Sequence, residues 1–132
     1  MKFLSYLKDG HDQLAILVDD TAFDLDELHP ELPNSMNVLM NYWDQLLEYV
    51  LAGEKAVREG RISKERGVPF DQLQLIAPVP FPTSCRDGYA FRQHVAAARR
   101  NRKVEMIPEF DQYPIFYFTN HHSIIGPGPV RC

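Results

Sequence analysis

The residue types that are richest in chemistry lie in the segment CRDGYAFRQHVAAARRNRK, residues 85–103. Asp87 and His94 are seven residues apart, so on one helix they lie two turns apart on roughly the same face. Tyr89 follows Asp87 by two residues. Together these side chains can supply a metal ligand, an orienting hydroxyl and a general base. On spacing alone a structural interpretation is favoured, in which Asp87 caps a helix, Tyr89 packs and His94 is merely polar.

A helix over about Asp87–Asn101 is the element predicted to position these side chains. Its sequence begins with an acidic residue and ends with the basic residues Arg99, Arg100 and Arg102. This order of charges suits the helix dipole. The basic residues are therefore expected at the end of the helix, facing a carboxylate or compensating the dipole.

Two strands are predicted after this helix, at residues 113–118 and 123–125, before Gly-Pro-Gly-Pro interrupts the pattern. A strand as apolar as PIFYF normally pairs within a sheet of more than two strands. Little else in this half of the sequence would pack against it. Residues 80–132 are therefore predicted to be the incomplete start of a larger domain.

Residues 1–79 are predicted to form a separate small domain, so the chain as a whole is α+β. Apolar runs at 2–8 and 13–18 flank Asp9-Gly10, which predicts a β-hairpin. Residues 21–33 carry turn formers and two prolines, which favours a strand end and a loop. Residues 68–79 are expected to be extended.

A long helix is predicted to begin at Asn34-Ser35, which offers an N-cap. Gly60 is a plausible stop, and Gly53 leaves room for an earlier break. The apolar residues between these limits recur at three- and four-residue steps, which indicates one buried helix face. They are Val38, Leu39, Tyr42, Trp43, Leu46, Leu47, Val50 and Leu51.

Composition excludes several classes of function. The 132 residues are 45% hydrophobic and 24% charged with a net charge of −4, so nucleic acid is a poor main partner. Cys85 and Cys132 match no zinc or redox spacing, which favours a reducing cytoplasm. No apolar run approaches the roughly 20 residues of a membrane span, and Lys8 and Asp9 interrupt any signal-peptide core. The sequence predicts a cytoplasmic protein with no membrane partner.

The segment Asp-Gly-Tyr-Ala-Phe-Arg-Gln-His, residues 87–94, resembles the D-x-Y-x-x-x-x-H segment of the fumarylacetoacetate hydrolase family. Its flanks are also similar, namely 77–80 and 82–84 before it and 101–102, 114–120 and 124–126 after it. The N-terminal hairpin, the Phe23-Asp24-Leu25 segment and the long helix are similar as well. The resemblance covers essentially the whole chain. It implies the family's small N-terminal domain over 1–79, followed by the beginning of its mixed, β-rich catalytic domain over 80–132.

The resemblance also implies a reaction, which is hydrolysis of a carbon–carbon bond in small diketo acids such as acylpyruvates or fumarylacetoacetate. Asp87 matches the first of four carboxylates that hold a divalent cation (Mg²⁺, Mn²⁺ or Ca²⁺), and His94 matches the general base that activates water. Tyr89 and Tyr117 match positions that contact the substrate. Members of the family are commonly homodimers. Relatives of this fold also act as isomerases, hydratases or oxaloacetate decarboxylases.

Arg102 lies near the place of an arginine that binds the substrate carboxylate in the family. Lys103 occupies the strict offset, so Arg102 fits equally well as a cation that ends the helix.

The chain departs from the family at the other metal ligands. The family's second and third carboxylates form a Glu-x-Glu pair, and no Glu-x-Glu exists in the sequence. The nearest pattern, Asp24-Leu25-Asp26, lies in the other domain and is expected to be a solvated turn. A lone Asp87 should hold Mg²⁺ weakly, so the isolated chain is expected to be inactive. The alternative is a non-catalytic fragment or a self-associating binding module.

Overall fold

The computed structural model describes residues 1–130, so Cys132 lies outside the described residues. The chain packs as two compact units, one made of residues 1–81 with the segment from His122 onwards and the other of residues 82–121. Both units combine strands with helix, which confirms the α+β class. In the described part of the chain, no helix is both long enough and apolar enough to cross a bilayer.

The first unit is built on a four-stranded antiparallel sheet in the order β1-β2-β3-β4. The strands are β1 (Phe3–Lys8), β2 (His11–Val18), β3 (Thr21–Asp24) and β4 (Val68–Pro69). The predicted hairpin is present, with Asp9 and Gly10 forming the turn at φ 52° and 81°. Two positive φ values define the turn type that matches the twist of paired strands.

The third strand agrees with the strand end predicted within residues 21–33, and it corrects the prediction that Asp24-Leu25-Asp26 is a solvated turn. Residues 21–24 are fully buried and pair with β2 on one side and β4 on the other. A short helix, α1 (Leu25–Leu28), follows directly. Asp24 is therefore buried, not solvated, and its carboxylate accepts hydrogen bonds from the Tyr6 hydroxyl at 2.7 Å and the Lys8 ammonium at 2.5 Å.

The predicted long helix is two helices. α2 (Met36–Asn41) ends at Tyr42, whose φ of −117° leaves the helical range, and α3 (Trp43–Arg58) begins directly after it. Gly60 follows the end of α3 with φ 70°, as expected for a glycine stop. Gly53 makes no break. It lies buried in α3, where an added Cβ would stand 3.2 Å from the Leu28 side chain.

Apolar side chains cover both faces of the sheet. One face packs on the helices, and the other packs on the chain that follows β4. A strand buried on both faces reads as a continuous apolar run, which explains why Leu14 to Val18 does not alternate with polar residues. The main core consists of Leu14, Ile16, Val18, Phe23, Leu25, Leu32, Leu39, Leu46 and Val50.

The second unit contains an antiparallel pair of strands, β5 (Cys85–Gly88) and β6 (Phe116–Thr119), and the helix α4 (Arg92–Asn101). Asp87 lies in β5, so the prediction of Asp87 and His94 on one helix is wrong. The helix begins only after Phe91, whose backbone is still extended. The strand predicted at 123–125 is also not formed, because residues 121–123 make a short 3-10 turn.

Candidate functional site

The pairing of β5 with β6 brings three of the sequence-predicted site residues to one face. Asp87 lies directly opposite Tyr117 in the ladder, and opposite residues of a ladder share a face. The Tyr89 amide donates to the Ile115 carbonyl at 3.0 Å, which carries the pairing past the end of β5. Side chains two residues apart in extended chain point the same way, so Tyr89 joins Asp87 and Tyr117 on that face.

Tyr89 contacts three other residues of this site, which are Tyr117, Phe110 and Arg102. Its ring centroid lies 6.5 Å from that of Tyr117 and 6.1 Å from that of Phe110, both in edge geometry. Its hydroxyl accepts a hydrogen bond from the Arg102 guanidinium at 3.4 Å. Tyr89 is half-buried, so its ring is packed while its hydroxyl stays within reach of a polar ligand.

Arg102 reaches Tyr89 because of the way α4 ends. Lys103 adopts φ 57°, its amide donates to the Arg100 carbonyl, and the Val104 amide donates to the Arg99 carbonyl. This pair of bonds is the Schellman motif, and here lysine takes the left-handed position that glycine usually fills. Lys103 thus ends the helix. It stands at the position where the family resemblance would place the cationic side chain that binds the substrate carboxylate.

The Arg102 side chain has one of the two roles left open by the sequence, that of a helix-terminal cation, and its binding of a substrate carboxylate stays a prediction. Its Nε donates to the Ala98 carbonyl at 3.2 Å, as a helix-terminal cation does, and its Nη2 donates to Tyr89. A guanidinium has five N–H donors, so donors remain for a bidentate contact to a carboxylate. The arrangement suits a carboxylate held beside the Tyr89 hydroxyl.

Asp87 and His94 are both exposed, on β5 and in the first turn of α4 respectively. The hydrogen bonds and ring contacts that join Tyr89, Arg102 and Tyr117 do not include the His94 or Asp87 side chains. Their roles as general base and metal ligand remain predictions.

A complete metal centre is not assembled by residues 1–130, among which no group of three or more His, Cys, Asp or Glu side chains is placed to hold an ion. Magnesium and calcium need several oxygen ligands. Asp87 supplies one such ligand, so the described residues fit only part of the metal site that the resemblance implies.

An ion pair that sequence reasoning missed fixes the beginning of α4. Arg92 donates to both carboxylate oxygens of Asp111, at 2.8 and 3.1 Å. The hydrogen bond from Arg92 lowers the pKa of Asp111 and raises that of Arg92. The contact ties α4 to the 3-10 turn Pro108–Asp111, which also carries Phe110. Arg92 and Asp111 are 19 residues apart, and no local pattern connects them.

Compared with models of known protein families and with curated proteins, the chain matches none. The resemblance to the fumarylacetoacetate hydrolase family therefore rests on the residues quoted for it alone.

Proposed function

We propose that this chain forms part of a metal-dependent hydrolase that cleaves a carbon–carbon bond in small diketo acids. The observation that carries the proposal is the Tyr89 cluster, in which a tyrosine hydroxyl bound to Arg102 lies beside Tyr117. Asp87 is on the same face, opposite Tyr117. Asp87, Tyr89 and Tyr117 are positions that the 87–94 segment and its flanks match in the fumarylacetoacetate hydrolase family, and Arg102 lies one residue from the matching arginine position.

Each residue has a role that its chemistry supports. Arg102 binds the substrate carboxylate through paired N–H donors, and the Tyr89 hydroxyl orients the neighbouring oxygen. Asp87 contributes one hard oxygen ligand to a divalent cation, which would stabilise the negative charge that develops on the substrate. His94 takes a proton from water as the general base.

The proposal is tested by expressing the complete reading frame that contains residues 1–132 and assaying acylpyruvate hydrolysis with Mg²⁺ or Mn²⁺. We expect His94→Ala to lower kcat about 10²- to 10⁴-fold, the usual contribution of a positioned general base, with metal affinity nearly unchanged. Asp87→Asn should instead weaken the metal affinity. His11→Ala, an exposed histidine in the first unit, is the matched control and should leave both quantities unchanged.

Three outcomes would contradict the proposal. They are wild-type turnover in His94→Ala, a stop codon directly after Cys132, and robust metal-dependent turnover by residues 1–132 alone. The last would contradict it because a single carboxylate holds Mg²⁺ weakly. Isomerase, hydratase and decarboxylase activities are assayed on the same protein, since the fold does not choose among them.

The second candidate is a non-catalytic, self-associating module. It is supported by the second unit, where Phe116, Tyr117 and Phe118 of β6 are exposed to 41%, 62% and 72% in a sheet of two strands. Such a pair is marginal in water on its own, and a second copy would cover it.

A further inference from the structure

A cavity of about 320 Å³ adjoins the Tyr89 ring within residues 82–121. Its size lies at the lower end of ligand-binding pockets, which run from about 300 to 1,000 Å³. Its lining is mostly aromatic and aliphatic, and includes Gly88, Tyr89, Phe110, Tyr113, Ile115 and Phe116. This lining suits an apolar ring better than a charged group.

Gly88 also lines the cavity. It lies opposite Phe116 in the ladder, so its position faces the side of the ribbon opposite to that of Tyr89. The space beside Gly88 is open, because a Cβ built there would meet no atom within 4 Å.

Tyr89 connects the cavity to the cation. Its ring lines the cavity, while its hydroxyl is hydrogen-bonded to Arg102. A ligand with an apolar ring at one end and a carboxylate at the other can therefore contact both sides of one tyrosine. An amphipathic tyrosine is well suited to such a boundary.

We infer that the cavity binds the aryl group of a 2-keto acid whose carboxylate is bound by Arg102. The inference rests on the proposed function for the reaction, and it narrows the substrate class to diketo acids with an aromatic acyl group. The site would prefer keto acids with an aryl group over those without one because the ring leaves water on binding. In a hydrophobic pocket, one additional methylene changes the preference for a ligand by about 10- to 200-fold.

Binding is measured on purified residues 1–132 by NMR titration with phenylpyruvate and, in parallel, with pyruvate. Phenylpyruvate should bind at least about tenfold more tightly, since it adds an apolar ring, and should shift the aromatic signals of Tyr89, Phe110 and Tyr113. Tyr113→Ala should lower the affinity for phenylpyruvate at least about fivefold. Tyr113 is 64% exposed, so its truncation leaves the fold intact.

Phe91→Ala is the matched control, because Phe91 is 81% exposed in the same unit and does not line the cavity. It should leave both affinities unchanged. The inference is overturned if phenylpyruvate binds no more tightly than pyruvate, or if Tyr113→Ala and Phe91→Ala weaken it equally.

The two proposals fail separately. If phenylpyruvate binds tightly but the protein encoded by the complete reading frame hydrolyses no acylpyruvate, the proposed function is overturned and the aryl site is supported. Hydrolysis of acetylpyruvate with no preference for an aryl group would overturn the aryl site and leave the reaction standing.

Discussion

Asp24 shows how a single residue joins three parts of the first unit. Its carboxylate accepts from Tyr6 and Lys8 of β1 across the sheet, and Lys8 also contacts Glu27 of α1 at 3.1 Å. Burial and the bond to Asp24 raise the pKa of Tyr6, and the bond to Asp24 raises that of Lys8. The folded chain therefore holds both protons more tightly than the unfolded chain does.

This linkage predicts a loss of stability at alkaline pH. Unfolded tyrosine and lysine lose their protons near pH 10 to 10.4, where the folded chain still retains both. The unfolded state then binds fewer protons, so the free energy of unfolding falls as pH rises above about 10. Urea unfolding from pH 8 to 11.5 measures the decline.

Tyr6→Phe should make this decline shallower, because it removes the Tyr6 proton from the balance. It should also lower the free energy of unfolding by about 1 kcal/mol at pH 8, which is the usual net contribution of one hydrogen bond. Tyr113→Phe, at an exposed tyrosine, should keep the wild-type slope. An unchanged slope in Tyr6→Phe would show that Tyr6 does not carry the effect.

At the scale of secondary-structure elements, the position of a residue around the helix decides whether it reaches the core. Leu39 is 1% exposed and Leu51 is 47% exposed. Even on a continuous helix these two residues point about 120° apart, whereas Leu46 and Val50 point within about 20° of Leu39. Leu51 therefore lies at the margin of the apolar face, although the sequence pattern includes it in one buried face.

Leu39→Ala is therefore expected to lower the free energy of unfolding by about 3 kcal/mol, which is within the range for truncation of a buried leucine. Leu51→Ala should change the free energy of unfolding by less than about 0.5 kcal/mol, as exposed substitutions usually do. Urea denaturation of both variants at neutral pH measures the difference. Equal costs would mean that the two leucines are equally buried in solution.

An element can be predicted from the sequence when the interactions that form it are between residues close together in the chain. Asp9-Gly10 and Gly60 are predictable because a positive φ is a local requirement. The second half of β5 is predicted as helix because its partner, β6, lies about thirty residues further on and the acidic Asp87 resembles a helix start. Tyr89 and Tyr117 are predicted as site residues because they match the family segment and its flank, and Arg102 because it lies one residue from a matching position. Phe110 has no local signal, since its contact with Tyr89 depends on the turn that Arg92 and Asp111 hold.

At the scale of the whole molecule, the main core and the proposed ligand site lie in different units. The main core consists of residues of the first unit, whereas the Tyr89 cluster and the aryl cavity lie within residues 82–121. The second unit also exposes the apolar rings of β6. Phe116 and Phe118 share one face of β6, with their ring centroids 5.3 Å apart, and an apolar patch of this kind marks an interaction site more often than isolated exposed side chains do.

Self-association of residues 1–132 through β6 is the expected consequence. Phe118→Glu should shift the chain to a monomer of about 15 kDa, because a charge on this face opposes its burial against a second copy. The Arg86 guanidinium lies 5.1 Å from the Phe118 ring, so it can pair with the new carboxylate and keep the ribbon folded. Phe81→Glu, at a residue of the first unit that is 67% exposed, should stay associated. Sedimentation velocity across a concentration series separates the cases, and a wild-type monomer at all concentrations would contradict the prediction.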